Sequence, residues 1–70
     1  MNETVEILIN EERHQVPNGA TVASVLEHLG VGSGTAVVEH NGAIVSRTQY
    51  DLTKVQGGDR LELVRFMGGG

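Results

Sequence analysis

The segment from residue 21 to residue 30 most constrains the fold, because there the sequence changes from strand periodicity to helix periodicity. Thr21 is placed as an N-cap, and Gly30 stands where a helix favours a left-handed C′ residue. Between them, apolar residues recur at the spacing of one helical face: Val22, Val25, Leu26 and Leu29. A helix of this length covers one face of a small sheet, so the rest of the chain must supply that sheet.

Two strands are predicted before the helix. In "TVEILIN" the residues Val5, Ile7 and Ile9 alternate with the others and share one face. A polar turn, Asn10-Glu11-Glu12, leads to a weaker strand, "RHQVP", which stops at Pro17. These two strands are expected to pair as a hairpin.

The second half of the chain predicts a further hairpin and a closing strand. Two short β-prone runs, "AVVEH" and "AIVS", flank Asn41-Gly42, which is a strong hairpin turn signal. A short helical turn is expected near residues 49–52. After it, Asp59 is expected to shape the turn "QGGD", and "LELVRF" forms the last strand.

This order of elements, ββαββ, is the β-grasp order found in ubiquitin-like folds. The prediction is an α+β domain over residues 1–67, with a mixed sheet of four to five strands and one main helix on one face. The first and last strands are expected side by side and parallel in the centre of the sheet, since a helix crossover permits that pairing. Residues 68–70 are expected to form a flexible glycine tail.

The closing strand has two different faces. If Leu61 and Leu63 face the helix, Val64 and Phe66 lie on the open face of the sheet, next to the tail. Exposed apolar residues in such a place often mark a partner site, although Phe66 is also able to fold over the edge of the core. The docking candidates are four consecutive residues: Val64, Arg65, Phe66 and Met67.

The tail itself, Gly68, Gly69 and Gly70, has no side chain with which to pack. Its one reactive group is the α-carboxylate of Gly70, which must be given a leaving group before its acyl group can be transferred. A glycine tail is thin enough for a narrow channel and adopts backbone angles that are closed to other residues. The predicted functional group is therefore Gly70, with Gly68 and Gly69 threading into a partner's active site.

Composition excludes several other classes of function. The chain has no cysteine, so disulfides, thiolate metal sites and a cysteine nucleophile are excluded. A formal charge of −4 argues against nucleic acid and favours a partner with a basic surface. No apolar run approaches transmembrane length, and no basic segment opens the chain, so a cytoplasmic protein that does not contact membranes is expected.

No side chain indicates a catalytic or metal site. His14, His28 and His40 are scattered over a strand, the helix and a hairpin, without the spacing of a metal site. Glu11-Glu12 is interpreted as a solvated turn rather than an acid/base pair. No bound cofactor, no metal and no catalytic residue are therefore expected in this chain.

The chain resembles the ThiS family, the sulfur carrier proteins of thiamine biosynthesis, over essentially its whole length. In "NGAIVSRTQY" the resemblance rests on Asn41, Gly42, Arg47 and Tyr50; "GGDRLELVRFMGGG" resembles the family's Gly-Asp turn, apolar closing strand and glycine terminus. Ser46 stands where the family usually has proline, and Tyr50 where it usually has tryptophan. Both differences concern packing rather than the terminus.

The resemblance implies a co-substrate rather than an enzyme. An E1-like adenylyltransferase of the ThiF type would adenylate the Gly70 carboxylate, using its own ATP and magnesium. A persulfide sulfur donor would then displace AMP and leave a C-terminal thiocarboxylate, whose sulfur passes to thiazole synthase of the ThiG type.

Three other functions stay open at this point. The first is a sulfur carrier for another product, such as molybdopterin or cysteine. The second is a ubiquitin-like modifier, which would join Gly70 to a target lysine. The third is an interaction domain whose tail has no function.

Overall fold

The computed structural model describes residues 3–32, 34 and 36–65, with Arg65 described by its backbone alone. The described elements follow the predicted order. They are β1 (Thr4–Ile9), β2 (Glu12–Pro17), α1 (Val22–Leu29), β3 (Ala36–His40), β4 (Ala43–Val45), a 3-10 turn (Arg47–Gln49) and β5 (Arg60–Arg65). The predicted boundary between residues 67 and 68 falls outside the described residues and stays a prediction.

The strands form one mixed sheet in the order β2-β1-β5-β3-β4. Strands β1 and β5 pair in parallel, whereas β1 with β2, β3 with β4, and β3 with β5 pair antiparallel. The predicted central parallel pair is confirmed, and so is the mixed sheet with one helix. As a result the last strand of the fold lies between strands from both halves of the chain.

The two ends of helix α1 are fixed by capping residues directly before and after it. Thr21 Oγ1 accepts the backbone N–H of Ser24 at 3.2 Å, and Ser24 Oγ accepts the backbone N–H of Thr21 at 2.9 Å. This reciprocal capping satisfies two N–H groups that would otherwise lack helical partners. At the other end Gly30 has a φ of 74°, the left-handed conformation that the sequence predicted there.

The core lies between α1 and one face of the sheet. From the helix, Val22, Val25 and Leu26 are buried, while Leu29 is half-buried at the edge. The sheet contributes its alternate residues, including Ile7, Ile9, Val16, Val38 and Leu61. The loops close the core with Tyr50 and Val55, so a chain of this size buries its apolar side chains around one helix.

The two hairpin turns have the same backbone form. Asn10 and Glu11 have φ values of 51° and 70°, and Asn41 and Gly42 have φ values of 52° and 90°. Positive φ at both central residues defines the turn whose twist matches a two-strand ribbon. The Asn41-Gly42 hairpin is confirmed, and the predicted polar turn after β1 occupies Asn10 and Glu11, so that Glu12 already belongs to β2.

The helical turn after β4 begins earlier than the sequence pattern indicated. A 3-10 turn covers Arg47–Gln49, and the predicted turn over residues 49–52 follows it, where the Gln49 carbonyl accepts the backbone N–H groups of Leu52 and Thr53 at 3.0 Å each. Tyr50, which follows the 3-10 turn, is 5% exposed and packs in the core. Tyr50, at the position where the resemblance expects tryptophan, therefore serves as a core residue.

Candidate functional site

The candidate site is the end of β5 and the open face of the sheet around it. Gly68, Gly69 and Gly70, together with Phe66 and Met67, lie outside the described residues, so their predicted roles stay predictions. Arg65 ends β5; its docking role also stays a prediction because its side chain lies outside the described part. The structure does describe the strand that leads to the tail.

Strand β5 is held differently on its two sides. On the β3 side the pairing runs to the end of the strand, with Val64 opposite Val37 and Arg65 opposite Ala36. On the β1 side the paired residues end at Ile9, opposite Leu61.

Beyond Ile9 the side chain of Asn10 takes the place of a strand. Asn10 Oδ1 accepts the backbone N–H of Leu63 at 2.8 Å, and Asn10 Nδ2 lies 3.4 Å from the carbonyl oxygen of Leu63. These contacts join residues that are 53 positions apart in the chain.

Val64 lies on the open face of the sheet, as predicted if its strand neighbours face the helix. Leu61 is buried and Leu63 is half-buried against the core, while Val64 is 58% exposed. On the same face Val37 lies directly opposite Val64, and Ile44 on β4, which is 70% exposed, lies opposite Glu39. We refer to Val37, Ile44 and Val64 as the apolar patch.

Two carboxylates flank the apolar patch. Glu39 and Glu62 are directly opposite each other on β3 and β5, and both side chains face away from the helix. Like charges in this position destabilise a sheet. Arg60, on the same face, lies 3.4 Å from Glu11 through its Nε and so already has an acidic partner. The surface therefore combines exposed apolar groups with negative charge that a basic partner would neutralise.

A second polar cluster surrounds Asp59 at the start of β5. Asp59 Oδ2 lies 2.7 Å from His40 Nε2 and accepts the backbone N–H of Gln56 at 2.8 Å; Asp59 Oδ1 accepts a hydrogen bond from Asn41 at 3.2 Å. Burial by itself raises the pKa of Asp59, but the hydrogen bonds from His40, Gln56 and Asn41 outweigh it, so this pKa lies below its ordinary value. The predicted role of Asp59 in shaping its turn is confirmed.

The histidines do not form a common site in the part of the chain that is described. His40 contacts Asp59, His14 lies 3.8 Å from Glu12, and His28 is exposed on the helix. Among these residues no group of three or more His, Asp or Glu side chains is arranged to hold a metal ion. Across the described ranges, no helix is long and apolar enough to span a bilayer.

Sequence reasoning missed the contacts of Asn10 and His40. Asn10 was expected only as a turn residue, and His40 only as an exposed or edge histidine. Each side chain bonds to a residue that is distant in sequence but adjacent across the sheet, so no local pattern indicates it. The sole available signal was the polar turn at Asn10, which fixes its position but not its partner.

The fold and the site together define a small β-grasp protein whose last strand is the central strand of the sheet and is followed in the sequence by a glycine terminus. The ThiS family model matches residues 1–70, and the chain belongs to the ThiS family. It is 35% identical to the sulfur carrier protein ThiS of Escherichia coli over 66 residues, covering 94% of this chain and 100% of that protein.

Two further comparisons agree with the family. The crystal structure of the thiamine biosynthesis protein (ThiS) from Geobacter metallireducens superimposes with a TM-score of 0.81 at 32% identity, covering 94% of this chain and 100% of that one. A thiazole synthase of Paramagnetospirillum magneticum is 39% identical over 66 residues, which are 94% of this chain but 20% of that protein. The chain thus spans about a fifth of the length of that relative.

Proposed function

We propose that this protein is the sulfur carrier of a thiamine biosynthesis pathway. The observation that carries the proposal is the match to the ThiS family over the whole chain, including a sulfur carrier relative covered along its full length. The position of β5 adds a physical reason, because the strand nearest the tail is held between two neighbours. In this proposal, partner enzymes recognise the folded domain, and the chemistry takes place at the tail.

The chemistry takes place at the Gly70 carboxylate. An E1-like adenylyltransferase transfers AMP from ATP to this carboxylate and releases pyrophosphate, with ATP and magnesium bound by that enzyme. The outer sulfur of a persulfide then attacks the acyl carbon and expels AMP. Cleavage of the S–S bond by a thiol leaves the thiocarboxylate on Gly70. The carrier is a co-substrate in these steps and contributes no catalytic side chain.

The open face supplies docking in this proposal. The apolar patch would pack against an apolar area of the activating enzyme, while Glu39 and Glu62 meet basic side chains around it. Docking there would relieve the repulsion between the two carboxylates, so part of the binding energy comes from a strain already present in the free carrier. Val64 belongs both to the apolar patch and to β5, the strand that precedes the tail in the sequence. The proposed docking surface therefore includes part of the segment that leads to the reacting carboxylate.

The receiving partner in this proposal is thiazole synthase. A protein named thiazole synthase contains a segment 39% identical to this chain. The presence of both parts in one protein supports the proposal that this chain acts together with a thiazole synthase. The thiocarboxylate is an anionic sulfur nucleophile at neutral pH, and it needs no help from carrier side chains. The natural setting for these exchanges is the cytoplasm, where ATP and the partner enzymes are available.

The test is the intact mass of the protein after reaction. The carrier is incubated with an E1-like enzyme, ATP, magnesium and a persulfide donor, and a variant lacking Gly70 is the control. The expected result is a mass increase equal to the difference between one sulfur and one oxygen atom, absent in the control and reversed by thiazole synthase with its small substrates. Covalent joining of Gly70 to lysines, without any thiocarboxylate, would establish a protein modifier instead.

A further inference from the structure

We propose that Asn10 is a positioning residue, whose side-chain amide fixes the path on which the chain leaves the sheet toward Gly70. The expected effect on activation rests on the function proposed above. The geometric part, that Asn10 orders the end of β5, concerns this chain alone. Asn10 would not touch the reacting carboxylate, and it would act through Leu63.

The first argument is the mismatch between the lengths of β1 and β5. Strand β1 ends at Ile9, because Asn10 turns the chain with a φ of 51°. Strand β5 continues to Arg65, four residues beyond Leu61, the partner of Ile9. Without a substitute for β1, this last part of β5 would be held by β3 alone.

The second argument is the geometry of the substitute. The amide of Asn10 presents one acceptor and one donor, as a peptide group does. It places them 2.8 Å from the N–H nitrogen and 3.4 Å from the carbonyl oxygen of Leu63. The side chain therefore continues the β1 ladder by one step, two residues before the end of β5.

The fold also contains a matched control at the other end of the same strand. Asn41 has a φ of 52° in the equivalent turn, and its Oδ1 accepts the backbone N–H of Arg60 at 2.9 Å. Residue type, backbone conformation and the bond to β5 are thus the same as for Asn10. The two differ in location, since Asn41 acts at the start of β5 and Asn10 near its end, and in the partner of the amide Nδ2, which is Asp59 Oδ1 for Asn41 and the Leu63 carbonyl oxygen for Asn10.

The experiment compares Asn10→Gly with Asn41→Gly. Glycine keeps the left-handed turn and removes only the side-chain amide. Activation is measured as ATP–pyrophosphate exchange by the E1-like enzyme, with kcat and KM for the carrier determined separately at a temperature where both variants are folded. For Asn10→Gly we expect kcat to fall by about tenfold to a hundredfold, because a misplaced reacting group costs rates of that order. KM should change little, since the apolar patch is intact.

One further variant and an NMR comparison complete the test. Asn10→Asp keeps an acceptor for the Leu63 N–H but sets an oxygen against the Leu63 carbonyl oxygen, so its kcat should lie between those of the wild type and Asn10→Gly. In the free carrier, NMR should show faster amide exchange at Leu63 and a lower order parameter at Arg65 for Asn10→Gly but not for Asn41→Gly. An equal loss of kcat in both glycine variants, or no loss in Asn10→Gly, would overturn the proposal.

The experiment distinguishes failure of the proposed function from failure of the proposal about Asn10. If the wild type itself is not activated, the sulfur carrier function is wrong, and the NMR comparison alone decides the role of Asn10. A change confined to Asn10→Gly then supports the ordering of the β5 end by Asn10. Unchanged order at Arg65 in that variant overturns it.

Discussion

The imidazole of His40 and the carboxylate of Asp59 lie 2.7 Å apart, and together they join the β3–β4 hairpin to the start of β5. Both side chains are mostly shielded from solvent, with 21% and 16% exposure respectively. The same carboxylate accepts the N–H of Gln56 and a hydrogen bond from Asn41. One ionised group thus organises three segments of the chain.

This arrangement predicts acid sensitivity. The pKa of Asp59 is lower in the folded protein than its ordinary value, so the ionised carboxylate stabilises the fold at neutral pH. That contribution is lost as the pH falls from the ordinary aspartate value, about 3.9, through the lower folded value. Urea unfolding midpoints measured from neutral to acidic pH should show this loss. The variant Asp59→Asn should have a lower midpoint than the wild type at neutral pH, and its midpoint should fall less on acidification. An equal fall of the midpoint in both proteins would contradict the stabilising role of ionised Asp59.

Leu26→Ala should destabilise the protein by about 2–5 kcal/mol, as removal of a buried leucine side chain generally does. Leu26 is 2% exposed and packs between the helix and the sheet. The matched control is Leu52→Ala, because Leu52 is 72% exposed and should shift the free energy of unfolding very little. Thermal or denaturant midpoints measure both effects. Equal shifts in the two variants would mean that the core has been placed wrongly.

Ser46→Pro should stabilise the protein by about 0.4–1 kcal/mol, because proline reduces the freedom of the unfolded chain. Ser46 precedes the 3-10 turn with a φ of −67°, which lies within the range that proline imposes. The variant Ser46→Ala serves as the control for the lost hydroxyl, which lies 3.1 Å from that of Thr48. A lower midpoint for Ser46→Pro than for Ser46→Ala would show that the proline ring does not fit.

Glu62→Gln should have opposite effects on the two properties of this surface, raising the stability of the fold and weakening docking. Removing one of two opposed carboxylates should stabilise the sheet by about 0.2–1 kcal/mol, since Glu62 is directly opposite Glu39. The same change should raise KM for the carrier in activation by the E1-like enzyme, because one acidic contact is lost. Glu27→Gln on the exposed surface of α1 is the control, and it should leave KM unchanged. A KM for Glu62→Gln equal to that of the wild type would remove this carboxylate from the docking surface.

Gly69→Val should abolish activation without altering the thermal midpoint. A β-branched side chain adds bulk to a tail that, in the proposed function, enters a narrow channel of the activating enzyme, and it restricts the backbone angles. The smaller change Gly69→Ala should have an intermediate effect, measured as ATP–pyrophosphate exchange. Turnover of Gly69→Val at the wild-type rate would show that the channel does not exclude bulk.

Much of the fold could be predicted because its signals are local. The helix begins and ends with its own caps at Thr21 and Gly30, and Asn41-Gly42 specifies its hairpin turn by backbone preference alone. The central pairing of β1 with β5 followed from the order of elements, since a helix crossover joins parallel neighbours. Exposure of Val64 followed from strand alternation once Leu61 and Leu63 faced the core.

The remaining features depend on contacts between distant residues. Tyr50, which follows the 3-10 turn, is buried in a core formed by other segments. Asn10 meets Leu63 across 53 positions of sequence, and His40 meets Asp59 across 19. Such pairs exist only after the sheet has formed, and a single sequence contains no periodicity that identifies them.

The central position of β5 has a mechanical consequence. In the proposed function, an enzyme that draws the C-terminus into its active site would apply force to β5, and a force along the axis of this strand acts on a strand flanked by β1 and β3. Tension in that direction loads the hydrogen bonds on both sides together, in shear, whereas an edge strand pulled sideways loses them one after another. In the proposed function, the folded domain would therefore resist unfolding when force is applied to its C-terminus during a transfer.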